Sequence, residues 1–315
     1  MDGAGRSPNA LTIAAFLAAV VLGGANFLAV RFSNRELEPF WGAGLRFGLA
    51  ALLFILIAVA LRLAWPRGAL LWRTLAYGVL AFAVSYALMY WSLVRVTAGV
   101  ATIVLAVVPL VTVLLAAAHG LERLGLRSAV GAVLALAGIA WMVIGPQPVD
   151  VPGPALVAML AAALCIGESI ILGKRISANH PVITNAVGMT AGAVLLLVLS
   201  AIAGEAWVLP QAAEVWWALG YLVTLGSVGL FILVLIVINR WTASATSYLF
   251  VLFPVATLAL GAWIADEPVT AQAVIGAVVV MLGVWFGALS PGARRVAAPP
   301  PEASPPDTAS VPTAR

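Results

Sequence analysis

The sequence predicts an all-α integral membrane protein of ten transmembrane helices in two inverted five-helix repeats, and three observations carry that prediction. Of its 315 residues, 63% are hydrophobic and only 9% are Asp, Glu, Lys or Arg, where a soluble domain carries about 25% charged residues. Mean hydropathy is +1.11, and apolar runs long enough to cross the roughly 30 Å hydrocarbon core recur along the chain. Finally, the chain resembles itself at a shift of 145 residues.

The spans follow in order. Residues 1–9 form a short N-terminus with one arginine, leading into span one at about 10–30. That run is long for a signal-peptide core and no clear small-residue cleavage site follows it, so it reads as an uncleaved helix. "FSNRELEP" separates it from span two, about 39–61, and "WPRG" precedes span three, about 72–94. Spans four and five cover about 97–118 and 128–145, and "GPQPVDVPGP" divides the halves. Span six is read at about 155–173 and span seven at about 181–203, with "SANHP" between them. Spans eight, nine and ten follow at about 215–238, 243–264 and 270–289, the last two separated by "ADEP". The first repeat is thus expected at 10–145 and the second at 155–289. The proline-rich segment 290–315 has little to bury and is expected to be a disordered cytoplasmic tail.

Basic residues set the expected orientation. With the N-terminus inside, eleven Lys or Arg residues close to the span ends fall on the cytoplasmic side and only Arg31, Arg35 and Arg95 on the other. Both termini are therefore expected in the cytoplasm, with the chain in the plasma (cytoplasmic) membrane. The net charge of +4 follows from this topology and offers no support for nucleic-acid binding. A single cysteine, Cys165, excludes an internal disulfide and a CxxC knuckle.

Aligning residues 95–141 with 240–286 without gaps matches twelve of 47 positions, among them Arg95/Arg240, Pro109/Pro254, Thr112/Thr257, Glu122/Glu267, Gly131/Gly276 and Gly138/Gly283. Shared alanine and valine reflect composition; shared arginine, proline, glutamate and glycine in register indicate duplication. Five helices per copy force the second copy to cross the membrane in the opposite sense, an architecture found in secondary transporters.

The segment "TAGVATIVLAVVPLVTVLLAAAHGLERLGLRSAVGAVLALAGIAW" and its echo "TASATSYLFVLFPVATLALGAWIADEPVTAQAVIGAVVVMLGVW" resemble the paired EamA-type domains of the drug/metabolite transporter superfamily. "GGANFLAVRF" and "LRFGLAALLF" are similar to that family's first and second helices, and the resemblance covers residues 10 to 289. It implies a ten-helix carrier of amino acids, metabolites or amphipathic toxicants, commonly working outward. "AAHGLERLGL", with His119 and Arg123 around Glu122, departs from the family pattern.

Polar groups within the spans are the candidates for function. Pro109 and Pro254 each lie near the expected midplane, where each would free the carbonyl four residues earlier, on Leu105 or Phe250. They are candidate gating hinges, or ordinary packing kinks. Glu122 and Glu267 lie thirteen residues further on, roughly 20 Å along a helix. On opposite faces they cannot form a catalytic pair; they read as helix-start anchors for spans five and ten, with gating contacts as the alternative.

Arg46 and Glu168 fall inside spans, where a charge costs about 2.5–3.5 kcal/mol on insertion scales. Arg46 reads as structural, snorkelling or pairing with a carboxylate. Glu168 is a candidate substrate or proton site, or a residue reaching the interface. Asn26 follows Gly23 and Gly24; a shift of 143 pairs it with Ser169, and ligand contact and interhelical hydrogen bonding explain it equally simply. Tyr86 and Tyr90 share a helix face with Trp91 nearby, forming either an interfacial aromatic belt or an aromatic wall for cargo, with Tyr248 added from span nine.

His119 and His180 lack HxxxH or HExxH spacing, and no Walker or GxSxG motif occurs, so neither a metal, a cofactor nor ATP is implied. The leading expectation is a secondary transporter of a small organic solute, an exporter working by alternating access, with protons as a candidate coupling ion and the bilayer as its surroundings. An integral-membrane enzyme on a lipid-linked substrate, or a sensory or structural membrane protein, are the alternatives. An enzyme needs clustered acid, base or ligand groups at one face, and this chain scatters them.

Overall fold

A computed structural model describes residues 10–120, 125–144, 150–176, 179–230, 232–234 and 243–289. The side chains of Lys174, of residues 243–248 and of 288–289 lie outside that description, as do the N-terminal nine residues, Glu122, Arg123, Arg240, and the proline-rich tail. Expectations resting on these residues, including the aromatic role of the Tyr248 ring, fall outside the described residues.

The described chain is helical throughout its spans. Eight helical stretches are long and apolar enough to cross a membrane: Ala10–Ser33, Pro39–Ala60, Ala69–Leu93, Ala98–Ala118, Leu126–Ile144, Gly153–Gly173, Pro181–Ala203 and Ala213–Val234. Two shorter apolar helices, Leu249–Ile264 and Ala271–Gly287, complete the ten. The chain is thus an all-helical, multi-pass membrane protein, surrounded by lipid. Exposed apolar side chains such as Leu126, Ile144, Ile202 and Trp263 face outward, where only lipid makes their exposure favourable.

Packing obeys an exchange symmetry between the halves. Spans five and ten cross where an ideal Cβ on Gly138 would fall 2.8 Å from the Gly276 carbonyl oxygen, and one on Gly131 2.6 Å from that of Gly283. Shifting by 145 converts Gly131 into Gly276 and Gly138 into Gly283, so one pair maps onto the other with the partners swapped. That is the mark of two equivalent helices running antiparallel about a two-fold axis. Spans two and seven also cross antiparallel, Gly44 facing Leu197 and Gly48 facing Ala193. Gly24 packs on Thr257, and its counterpart Gly167 packs on Thr112. The repeats are therefore inverted, as five helices per copy require.

Two local features differ from the sequence-based expectation. Span four does not run through Pro109 as one kinked helix. Helix Ala98–Leu105 ends, Ala106 and Val107 form a tight turn with the Val107 N–H on the Val104 carbonyl at 3.3 Å, and a new helix runs Val108–Ala118. Proline suits the first turn of that new helix, where its missing N–H costs nothing. Pro254 lies inside an uninterrupted helix, Ala243–Ile264. Matched prolines thus occupy unlike backbone, although both are buried.

Spans three and eight each contain a π-helical segment, Val79–Val84 and Thr224–Gly229. The offset between them is again 145 residues, so the widened turn is shared by both copies. Such turns release carbonyls from the i→i−4 ladder and recur at functional sites.

Candidate functional site

The π-segment of span eight meets spans one, two and three at a buried polar centre. Arg46, seven residues or about 10 Å into span two, is 1% exposed. Its Nε donates to Ser227 Oγ at 3.4 Å, one terminal nitrogen to the Tyr90 hydroxyl at 3.4 Å, and the other to the Gly226 carbonyl at 3.3 Å. The guanidinium carbon lies 5.0 Å from the Phe47 ring centre and 5.4 Å from that of Tyr86. Ser227 Oγ donates to Leu222, five residues back, a bond made by the π-turn. The carbonyl of Gly226 also accepts from Asn26 Nδ2 at 3.1 Å. Asn26 Oδ1 is buried and has no hydrogen-bond partner among the described residues. Beside it, the Tyr221 hydroxyl donates to the Leu22 carbonyl at 2.7 Å.

An aromatic shelf flanks the charge. Tyr86 meets Phe47 edge-on at 4.6 Å, and Tyr90 and Phe82 each lie 6.4 Å from Tyr86. Tyr90 is wholly buried, whereas Tyr86 is partly exposed. The structure therefore brings Asn26, Tyr86 and Tyr90 together around Arg46. Trp91 turns away, with Arg95 stacked 3.7 Å over its ring at the chain's surface. The sequence offered Arg46 two roles, snorkelling outward or pairing with a carboxylate; it is 1% exposed, and no ion pair to it exists among the described residues. Its polar partners come chiefly from span eight, about 180 residues away, and Gly226 and Ser227 carry no linear signal of the role.

Glu267 stands apart from this centre, at the face holding Arg31. The expectation that it starts span ten is replaced by a different contact. Span ten begins at Ala271, capped by the Thr270 hydroxyl, which accepts from Ala273 N–H at 3.1 Å. Asp266 instead ends span nine: it adopts a left-handed φ of 49°, and the Glu267 N–H closes on Gly261 at 3.0 Å. Aspartate is one of the few residues that adopts this conformation readily. The turn delivers the Glu267 carboxylate, 10% exposed, to the start of span four. There it accepts from Ala98 and Gly99 N–H at 3.2 and 3.4 Å and from the Arg31 guanidinium at 2.5 Å.

Two more carboxylates act alike on this face. Glu205 accepts from the Phe40 and Trp41 N–H groups at 3.1 and 2.7 Å, at the start of span two. Glu36 accepts from Gln211 and Ala212 N–H at 2.7 and 3.1 Å, at the start of span eight. In each case one repeat supplies the carboxylate and the other the helix N-terminus, where unpaired N–H groups and the helix dipole favour negative charge. Between Glu267 and Arg35 opens a vestibule of about 370 Å³, lined also by Asn34, Thr97 and Asp266.

On the opposite face His119 ends the second helix of span four, and its Nε2 lies 3.0 Å from both carboxylate oxygens of Glu168 in span six. The Glu168 side chain is 28% exposed, so it reaches the interface instead of the polar centre. His180 Nδ1 accepts from Val182 N–H at 3.3 Å and caps span seven. Among the described residues no group of three or more His, Cys, Asp or Glu side chains is placed to hold a metal.

Two antiparallel five-helix halves closing over a buried, charged centre inside a bilayer define a membrane transporter. The chain belongs to the EamA-like transporter family, whose model matches it twice, at residues 10–144 and 153–288. It is similar to an uncharacterized transporter of Archaeoglobus fulgidus, 26% identical over 85% of this chain and 95% of that protein. It is likewise similar to the uncharacterized inner membrane transporter YedA of Escherichia coli K12, 27% identical over 80% of this chain and 82% of YedA. A protein of known crystal structure shares the fold with a TM-score of 0.63 at 19% identity, covering 89% of this chain and 97% of its own.

Proposed function

We propose that this protein is a secondary exporter of a small organic solute, working by alternating access in the inner membrane with both termini in the cytoplasm. The observation that carries the reading is the polar centre of Arg46, Asn26, Tyr86 and Tyr90. It is withdrawn from both faces and built from both repeats, since Gly226 and Ser227 of the second complete it. A charge inside a spanning helix is costly, and a transport pathway is the usual reason for keeping one. Scattered polar groups and the transporter names of the relatives favour a carrier over an enzyme.

In this reading Glu36, Glu205 and Glu267 hold one face shut, because each joins the two repeats. Pro109 begins a separate helix segment and Pro254 withholds one N–H inside a continuous helix, so both are candidates for the joints about which the halves rock. Glu267→Gln on a Cys165→Ala background is expected to let an impermeant thiol reagent label a cysteine at Leu28 several-fold faster. Unchanged labelling with a lowered melting temperature would assign Glu267 to scaffolding alone.

Glu168 is, among the described residues, the carboxylate lying beyond the first turn of a spanning helix, and we assign it the coupling proton. Glu168→Gln is expected to remove the stimulation of flux by an imposed pH gradient, read as flux against the size of that gradient. A profile identical to that of the parent protein, at equal expression, would remove the coupling role. The decisive test of the function is flux of amino acids, organic acids, amines and cationic dyes in proteoliposomes, with and without a pH gradient; no flux for any of them rejects the carrier.

A further inference from the structure

Resting on the carrier reading, we infer that Arg46 is a recognition site for the carboxylate of a small, largely apolar organic acid. The guanidinium is the most deeply buried charge described, yet it faces only neutral acceptors: a serine hydroxyl, a tyrosine hydroxyl and one peptide carbonyl. All three bonds measure 3.3–3.4 Å. Neutral N–H···O bonds ordinarily close to about 2.9–3.0 Å, and arginine–carboxylate bonds to about 2.7–2.9 Å. These contacts hold the cation loosely in place of a stronger acceptor. Among the described residues no carboxylate replaces them: the described acids lie on other partners or are exposed at helix ends and turns.

Arginine is the side chain suited to this task, since its planar fork binds a carboxylate through two parallel bonds and keeps its charge when buried. The neighbouring groups extend the recognition. Asn26 Oδ1 has no donor among the described residues and offers an acceptor to a hydroxyl or amino group on the ligand. Tyr86, the partly exposed ring of the shelf, offers a surface for its apolar body, with Phe47 and Phe82 packed behind it. On binding, the carboxylate displaces the Tyr90 hydroxyl and the Gly226 carbonyl from the guanidinium. The Gly226 carbonyl keeps its bond from Asn26, and the Tyr90 hydroxyl is the one buried acceptor that displacement releases.

The test uses the full-length protein in detergent and in proteoliposomes, with benzoate, phenylacetate, hexanoate and L-phenylalanine, each beside its primary amide. At least one acid is expected to raise the melting temperature and drive counterflow, with its amide at least tenfold weaker. Arg46→Gln should abolish the response to the acid, and Arg46→Lys should keep part of it. Should Arg46→Gln fail to fold, Tyr90→Phe decides. It removes one competing acceptor and leaves the ring, so it should bind the acid at least as tightly as the parent. Equal response to acid and amide, no response to any acid, persistence in Arg46→Gln, or loss in Tyr90→Phe each overturns the assignment. Flux of neutral amides alone would preserve the carrier and reject the acid site. An Arg46-dependent thermal response without any flux would preserve the site and reject the carrier.

Discussion

Gly131→Val is expected to produce protein that is depleted from the membrane and, where recovered, melts far below the parent. An ideal Cβ at this position would fall 2.5 Å from the Gly287 Cα and 2.6 Å from the Gly283 carbonyl oxygen, and neither backbone atom can rotate away. Relief requires spans five and ten to separate along the crossing. Overpacking of this kind costs about 1–3 kcal/mol even where side chains can shift, and here the obstruction is main chain. The same crossing contains Gly138 against Gly276, so separation loosens both pairs together. Lipid offers the parted faces no hydrophobic penalty, so close packing supplies much of the attraction between these helices. Gly220→Ala is the matched control. It changes a helical glycine with nothing within 4 Å of the added carbon, and is expected to melt with or slightly above the parent, alanine being the better helix former by up to about 1 kcal/mol. Similar melting of the two variants, followed by size-exclusion fluorescence during heating, would contradict the crossing.

Those glycines also show which parts of the molecule were open to reading in one dimension. Hydropathy locates spans because a bilayer demands long apolar runs, and the 145-residue echo exposes duplication because both copies must pack the same crossing. Helix packing at Gly131, Gly138, Gly276 and Gly283 was legible for the same reason. Matching residues did not imply matching backbone, however: Pro109 opens a helix and Pro254 sits inside one. A proline is compatible with both, and neighbouring spans choose between them. "ADEP" carried helix-start chemistry, yet Asp266 ends a helix while Glu267 caps another from a distance of 169 residues. The amide it caps is set by tertiary contact alone.

Asn26, Tyr86 and Tyr90 were visible as polar or aromatic interruptions of apolar runs. Arg46 was visible too, but its lack of a carboxylate partner is a statement about three-dimensional neighbours. Gly226 and Ser227 were invisible because glycine and serine are ordinary in membrane helices. What distinguishes them is a π-turn, and no residue type announces one. Only the recurrence of that turn at the equivalent place in span three ties it to the duplicated design.

Gly226→Ala should therefore separate function from folding. The added carbon would fall 2.1 Å from Asn26 Oδ1, with the next contact at 3.2 Å belonging to the same side chain. A short amide can swing aside, so the protein is expected to fold and melt near the parent temperature. In swinging, Asn26 gives up its bond to the Gly226 carbonyl and moves against the groups around Arg46. Transport is expected to fall at least tenfold, equivalent to about 1.4 kcal/mol in the step affected. Asn26→Ala alone should also impair transport, by deleting the amide. Combining the two removes the collision, so the double variant should lose less than the sum of the single losses, residues in contact commonly coupling by about 0.5–3 kcal/mol. Strict additivity in initial flux rates would mean that the two residues act separately and that the π-turn of span eight does not present its carbonyl to the polar centre. Subadditivity would tie span one to span eight across the repeat boundary, at the polar centre proposed to hold the solute.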